Sequence, residues 1–208
     1  MRTERQAHGF IFQNWVLRTF LDLAYSGEWD IPSKINPITK KPVSIKTAQW
    51  ETGGVSFGDA LNQFNVNEDF EIVVAFYEVR GNKKKVVNMQ LVPITKEKWR
   101  EMWGNMTIEK LEEFDNLVRC EDGRSLEGQK LNDFRDDIQK EKETMLEGYT
   151  GKFSIHPKID SKNQRRVQCS IPFNTFFKEL GLEDKKKKFT TYTLWGKEIK
   201  LSSIKLDN

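Results

Sequence analysis

Asp30 and Lys46, with Ser44 two residues ahead of the lysine, are the side chains whose types and spacing best suit chemistry. Asp30 belongs to Trp29-Asp30-Ile31-Pro32, a short extended piece stopped by proline. Pro42-Val43-Ser44-Ile45-Lys46-Thr47-Ala48 alternates apolar and polar residues, as a strand does. Side chains on a strand repeat every two residues, so Ser44 and Lys46 share a face. A hairpin-like return over residues 32–42 would set Asp30 beside that face. One carboxylate and one ammonium, together where strands end, suit metal-assisted hydrolysis of a phosphodiester. Asp30 is the kind of hard oxygen ligand Mg²⁺ prefers, and the Ile45 carbonyl can supply a second oxygen. Lys46 would orient or help deprotonate the attacking water and offset phosphate charge. The same spacing also fits an aspartate capping a turn and an ordinary edge-strand lysine.

The surrounding pattern predicts the elements that hold these residues. Phe12, Trp15, Val16, Phe20 and Leu23 recur at helical steps, which predicts a helix over Gly9–Tyr25 closed by Ser26-Gly27. Residues 33–41 read as a turn started by Asn36-Pro37. Gly53-Gly54 breaks the chain, and Ser56–Phe64 suits a short helix. Phe70–Val79 is nearly continuous and apolar, the pattern of a strand covered on both faces. Gly81-Asn82 turns it into a partner strand over Lys84–Ile94. Residues 95–146 read as helical, interrupted near Cys120–Gly123 and at Gly128. Short strands follow at Lys152–His156, Arg166–Ile171 and Thr190–Leu194, with a helical turn near Asn174–Leu180. The expected architecture is an α/β domain with a central mixed β-sheet flanked by helices, a helical middle segment and a small basic β-rich C-terminal region. It divides as a core over 1–100, an acidic helical segment over 101–150 and a basic region over 151–208.

Composition bounds the classes of function. The chain has 208 residues, 37% of them hydrophobic, enough for a packed core and too many for wholesale disorder. No run approaches the length of a membrane span, and no secretory leader is evident, so a soluble cytoplasmic protein is expected. Two cysteines, Cys120 and Cys169, and two histidines, His8 and His156, exclude a Cys/His zinc site of usual spacing and a disulfide scaffold. The net charge of +3 hides a gradient: residues 101–150 carry 7 basic and 14 acidic side chains, residues 151–208 carry 13 and 6. A polyanion facing the basic end accounts for this, and so does a solvated lysine-rich surface.

Trp29-Asp30-Ile31-Pro32, then Pro42–Thr47, then Phe57-Gly58-Asp59-Ala60 and a buried strand together resemble the PD-(D/E)xK nuclease superfamily, most nearly the type II restriction endonucleases. The resemblance covers residues 8–80 best. In that family a helix precedes two core strands; the first bears a metal-binding Asp and the second the (D/E)xK signature. Here Asp30 matches the first acidic position, Ser44 the variable second position and Lys46 the lysine. Ser44 stands where many members have a carboxylate, and Gln13 stands in the preceding helix where many carry Glu. The resemblance implies a restriction-endonuclease-like fold and Mg²⁺-dependent cleavage of double-stranded DNA at a fixed sequence, leaving 5′-phosphates. It also implies a homodimer on a palindromic site. Asp30 and the Ile45 carbonyl would hold metal, and Gln13 a metal-bound water.

The stretch Lys158, Lys162, Asn163, Gln164, Arg165, Arg166 and Gln168 collects side chains that can contact phosphates and base edges, and it equally fits a solvated turn between strands. Lys185–Lys188 reads as a loose solvated run. Trp99 and Trp103 share one helical face and should pack against a sheet. Three other readings stay open: a DNA-binding protein without chemistry, a nicking or catalytic subunit that needs a recognition partner, and an interaction protein whose acidic segment binds a basic partner.

Overall fold

Phe12, Val16 and Leu17 line one side of α1 (Glu4–Phe20), and all three are fully buried. The structure, a computed structural model, describes residues 4–25, 27, 29–120, 126–159 and 165–206, with side chains from His8 onward. The helix stops at Phe20 rather than Tyr25 because the chain turns at Asp22, whose φ of 51° is left-handed. Ser26, part of the expected closure, lies outside the described residues, as do 121–123 of the expected interruption.

The return between residues 32 and 42 is present. Ile31 and Val43 form an antiparallel bridge and exchange backbone hydrogen bonds of 3.1 and 2.7 Å. Asn36, 1% exposed, builds the turn. Its Nδ2 donates to Thr39 Oγ1 and to the Lys41 carbonyl, both at 2.8 Å, and its Oδ1 accepts from the amides of Ile38 and Thr39. β1 (Val43–Gln49) then follows with the expected alternation.

Ser56–Asp59 is not helical as expected: β2 spans Gly54–Asp59 and α2 only Ala60–Phe64. Val55 and Phe57 are buried between half-exposed neighbours, a period of two. Asp59 caps the helix by accepting the Asn62 amide at 3.1 Å. β3 (Phe70–Arg80) and β4 (Lys83–Ile94) form the expected hairpin, and the first eight residues of β3 are buried. The sheet order is β1-β3-β4, with β1 parallel and β4 antiparallel to β3. A bulge shifts the register between Phe76 and Tyr77, so Phe76 faces Asn88 and Tyr77 faces Val86.

The helical middle holds α3 (Lys96–Glu101), α4 (Ile108–Arg119) and α5 (Gly128–Met145). Gly128 begins a helix, with φ of 57°, rather than breaking one. The helices do part where expected, between Arg119 and Gly128, and a further, unforeseen break falls at Gly104, where a Cβ would lie 2.5 Å from the Gly151 amide nitrogen. The chain continues through β5 (Ser154–Ile159), β6 (Arg165–Pro172), α6 (Phe173–Glu179), β7 (Thr191–Leu194) and β8 (Lys197–Lys200), the last unforeseen. β2, β6 and β5 form a second sheet in that order, and β7 and β8 a third.

These elements fall into two units. Unit 1 comprises Met1–Val55, Glu68–Lys96 and Pro172–Asn208; unit 2 comprises Ser56–Asn67 and Glu97–Ile171. In unit 1, α1 covers the sheet face bearing Val43, Ile45, Val73 and Ala75, and Leu194, Ile199 and Leu206 complete that core. The other face holds Phe76 in a cage of Trp50, Phe173, Phe176 and Phe177, with ring centroids 5.2–6.0 Å away. In unit 2, Trp99 and Trp103 are fully buried and pack on Phe57, Phe64 and Phe153, in keeping with their shared spacing. The protein is thus mixed α/β, with a mixed sheet and helices. Among the described residues no helix is long and apolar enough to cross a membrane.

Candidate active site

β1 is an edge strand of the unit 1 sheet, and its open edge is where Asp30 lies. Asp30 Oδ2 accepts the Ile45 amide at 2.5 Å and the Lys46 ammonium at 3.3 Å. Both side chains of the ion pair are 22% exposed, so they are reached by solvent rather than sealed in the core. Within a strand, the N–H and C=O of one residue point to the same side. The Ile45 amide points at Asp30, so the Ile45 carbonyl projects from that edge too. The Val43 bridge to Ile31 fixes the same edge one step earlier. A carboxylate, a backbone carbonyl and an ammonium therefore converge within two residues of strand.

Asp30 and the Ile45 carbonyl could hold one hard divalent cation, although among the described residues no group of three His, Cys, Asp or Glu side chains gathers to hold one. Asp30 Oδ1 accepts from no described residue, and Mg²⁺ is commonly held by one or two carboxylates, with water and substrate oxygens completing the shell. Ser44 shares the Lys46 face and is 6% exposed. Gln13 is half-buried on α1, which packs over the opposite face, where the Cβ position of Gly9 lies 3.8 Å from Thr47 Oγ1. Among the described residues Gln13 makes no hydrogen bond to Asp30 or Lys46. The structure thus joins Asp30, Ile45 and Lys46, sets Ser44 on the face of Lys46, and gives Gln13 no direct hydrogen bond to Asp30 or Lys46 among the described residues.

Three polar residues of this sheet escaped the sequence reading. Glu71, 7% exposed, accepts from Thr39 Oγ1 at 2.9 Å and Trp195 Nε1 at 3.3 Å and holds the turn after Asp30. Gln90 and Asn88 are fully buried. Gln90 lies in the cross-strand row Lys46–Val74–Gln90; its Nε2 donates to Asn88 Oδ1 at 2.9 Å, and its carbonyl oxygen accepts from no described residue. Two amides inside Val86-Val87-Asn88-Met89-Gln90-Leu91-Val92 were the available signal.

The candidate DNA-contacting stretch lies in unit 2. Lys162, Asn163 and Gln164 lie outside the described residues. β6 alternates strictly, so Arg165 is buried at 6% exposure, its guanidinium 5.2 Å from the Phe134 ring centroid, while Arg166 and Gln168 point to the other face. Lys158 stands opposite Arg166, and His156 opposite Gln168. With its amide oxygen turned toward Arg166, Gln168 accepts from Nη2 at 3.1 Å and Nε at 3.2 Å. Although its side chain is exposed on β5, partial desolvation and then the nearby Lys142 charge push the His156 imidazole below its usual range, which favours the neutral form. Cys120 and Cys169 are free thiols. The chain matches no protein-family model, no curated protein and no solved structure.

Proposed function

We propose that the protein is a Mg²⁺-dependent double-stranded DNA endonuclease of the PD-(D/E)xK type, acting as a type II restriction enzyme. The convergence of the Asp30 carboxylate, the Ile45 backbone and the Lys46 ammonium on one sheet edge carries the reading. A helix precedes the segment bearing Asp30, and that segment bridges antiparallel to the strand bearing Lys46, the order the resemblance implies.

In this reading the Asp30 carboxylate and the Ile45 carbonyl would hold the cation. A Mg²⁺ ion held there supplies a Lewis acid for phosphoryl oxygens and an acidified water. Lys46 gives up its contact with Asp30 to meet the phosphate, orient the attacking water and take up part of the developing charge. Attack in line with the leaving 3′ oxygen yields a 5′-phosphate. Residues 158–168 read bases, and a homodimer cuts both strands of a palindrome.

A sequenced duplex, digested by the chain and by Lys46→Ala with Mg²⁺ or EDTA, tests this. Discrete fragments that require both Mg²⁺ and Lys46 are expected; intact DNA with the unaltered chain and Mg²⁺ overturns the reading. One observation favours a DNA-binding protein without chemistry: the second acidic position is a buried serine, leaving one carboxylate already paired to lysine. That protein would bind DNA equally in EDTA and never cut it.

A further inference from the structure

Among the described residues, the hairpin end of the unit 1 sheet gathers cations around a single carboxylate. Residues directly opposite on antiparallel strands share a face, and Arg80 stands opposite Lys83, Glu78 opposite Lys85, and Lys85 opposite Lys205. Glu78 accepts from Arg80 Nη2 at 3.0 Å and pairs with Lys188 Nζ. Those two partners, Lys188 first, hold the Glu78 carboxyl below its usual range. Among the described residues, the exposed Lys83 and Lys85 make no ion pair and Lys205 Nζ reaches only the Ser202 carbonyl, at 3.1 Å. Five cations thus surround one anion, with like charges directly across strands, an arrangement that costs stability.

Edge protection does not account for these lysines. The outer edge of β4 is already occupied at Lys85 by Lys205, at the Val87 carbonyl by the Phe189 amide at 2.7 Å, and at the Leu91 amide by the Tyr192 hydroxyl at 2.9 Å. Nor is the Lys185–Lys188 run loose. Buried Asn88 donates to the carbonyls of Lys185 at 2.9 Å and Lys187 at 2.6 Å, so the backbone presenting Lys188 is strapped to the sheet.

Alternation along β3 puts Val74, Phe76, Glu78 and Arg80 on one face, and the register puts Lys46 in the row of Val74. The β4 bulge sets the parity that brings Lys83 and Lys85, rather than Lys84, to this face. The cationic end therefore shares its sheet face with Lys46, about 20 Å along the strand and beyond the aromatic cage over Phe76.

We propose that Arg80, Lys83, Lys85, Lys188 and Lys205 form a docking surface for the phosphodiester backbone of duplex DNA flanking the scissile position. Charge complementarity selects a polyanion, and its identity as DNA rests on the nuclease reading. Contacts to phosphate alone place the duplex without reading its sequence.

The test is anisotropy titration of the whole chain with labelled duplex in EDTA over a salt series, beside a Mg²⁺ cleavage assay. The variants are Lys83→Ala/Lys85→Ala/Lys205→Ala and, separately, Glu78→Gln, with thermal unfolding as the folding control. The triple variant should bind about tenfold or more weakly at low salt, with the salt slope reduced by about one per lysine. Its cleavage at sub-saturating DNA should fall in step with occupancy. Glu78→Gln should bind severalfold more tightly, an effect opposite in sign to a merely structural one. This pattern in a chain that never cuts supports the surface and removes the nuclease reading. Cleavage by a triple variant with unchanged affinity and salt slope overturns the surface and leaves the nuclease reading standing. Unchanged DNA affinity accompanied by new self-association makes the lysines an edge guard and also overturns the surface.

Discussion

Unit 1 contains 20 basic and 14 acidic side chains, unit 2 contains 14 and 17, and the two use their basic residues differently. In unit 1 the sheet is covered on both faces over most of β3, and its cations emerge only at the β1 edge and the hairpin end. In unit 2 the β5–β6 ribbon alternates, so Lys158, Arg166 and Gln168 occur every second residue along polar rows. The lesson is that net positive charge and a ribbon of alternating polar side chains reside in different units. On the proposed nuclease reading, the net +6 of unit 1 would supply general attraction to DNA, and the arginine and amide side chains along β6 would meet base edges.

The sharpest break of this contrast is Lys46→Ala, expected to lower single-turnover cleavage by about a thousandfold while DNA affinity stays within a few-fold. Comparable loss from Arg166→Ala at saturating DNA would erase the division of labour. Phe76→Ala removes the ring at the centre of the Trp50/Phe173/Phe176/Phe177 cage and should cost unit 1 about 3–5 kcal/mol, measured by urea denaturation. The unit 2 counterpart is Asp115, 4% exposed, which accepts the Val167 amide at 2.8 Å and pairs with Arg119. Asp115→Ala strands a buried amide and should cost about 2–3 kcal/mol by the same measurement. For readout, Arg166→Ala should relax preference at one base position by about 1–3 kcal/mol, seen in competition with single-base variants of the site, whereas hairpin-end variants weaken all sequences alike.

The smallest effect is a pH dependence in unit 2. The folded His156 pKa lies below its unfolded value of about 6.5, so the unfolded chain binds more protons between the two. Its penalty is absent above about pH 6.5 and grows as pH falls through that window. His156→Gln should flatten the acid limb of a Tm-against-pH curve, and an unchanged limb would assign the slope elsewhere.

Local signals in the chain revealed much of this arrangement. Two-residue alternation located β1, a continuous apolar run located β3, and Asn36-Pro37 located the return that sets Asp30 beside Lys46. What stayed hidden depended on distant partners. Ser56–Asp59 has residues compatible with a helix, and only pairing in the β2-β6-β5 sheet makes it extended. Gly104 breaks the helical middle because Gly151 approaches it, and no local pattern reports that contact. Lys185–Lys188 reads as solvent-facing because its strap is Asn88, 97 and 99 positions from the carbonyls it binds. The cationic face likewise depends on a bulge whose extra residue has no signature of its own.

That strap also bears on the order of assembly. β1, β3 and β4 draw on residues 43–94, yet the core they build is closed by Leu194, Ile199, Leu201, Ile204 and Leu206. Bringing these together carries the loop-closure entropy of a long intervening segment, so unit 1 should be the slower unit to reach its final state. Until residues 185–206 dock, the Val86 and Met89 side of β4 and its outer edge await their partners. A burst of dye-binding apolar surface during refolding, decaying as the final tyrosine, Tyr192, docks half-buried against that core, is the kinetic trace such a delayed closure leaves.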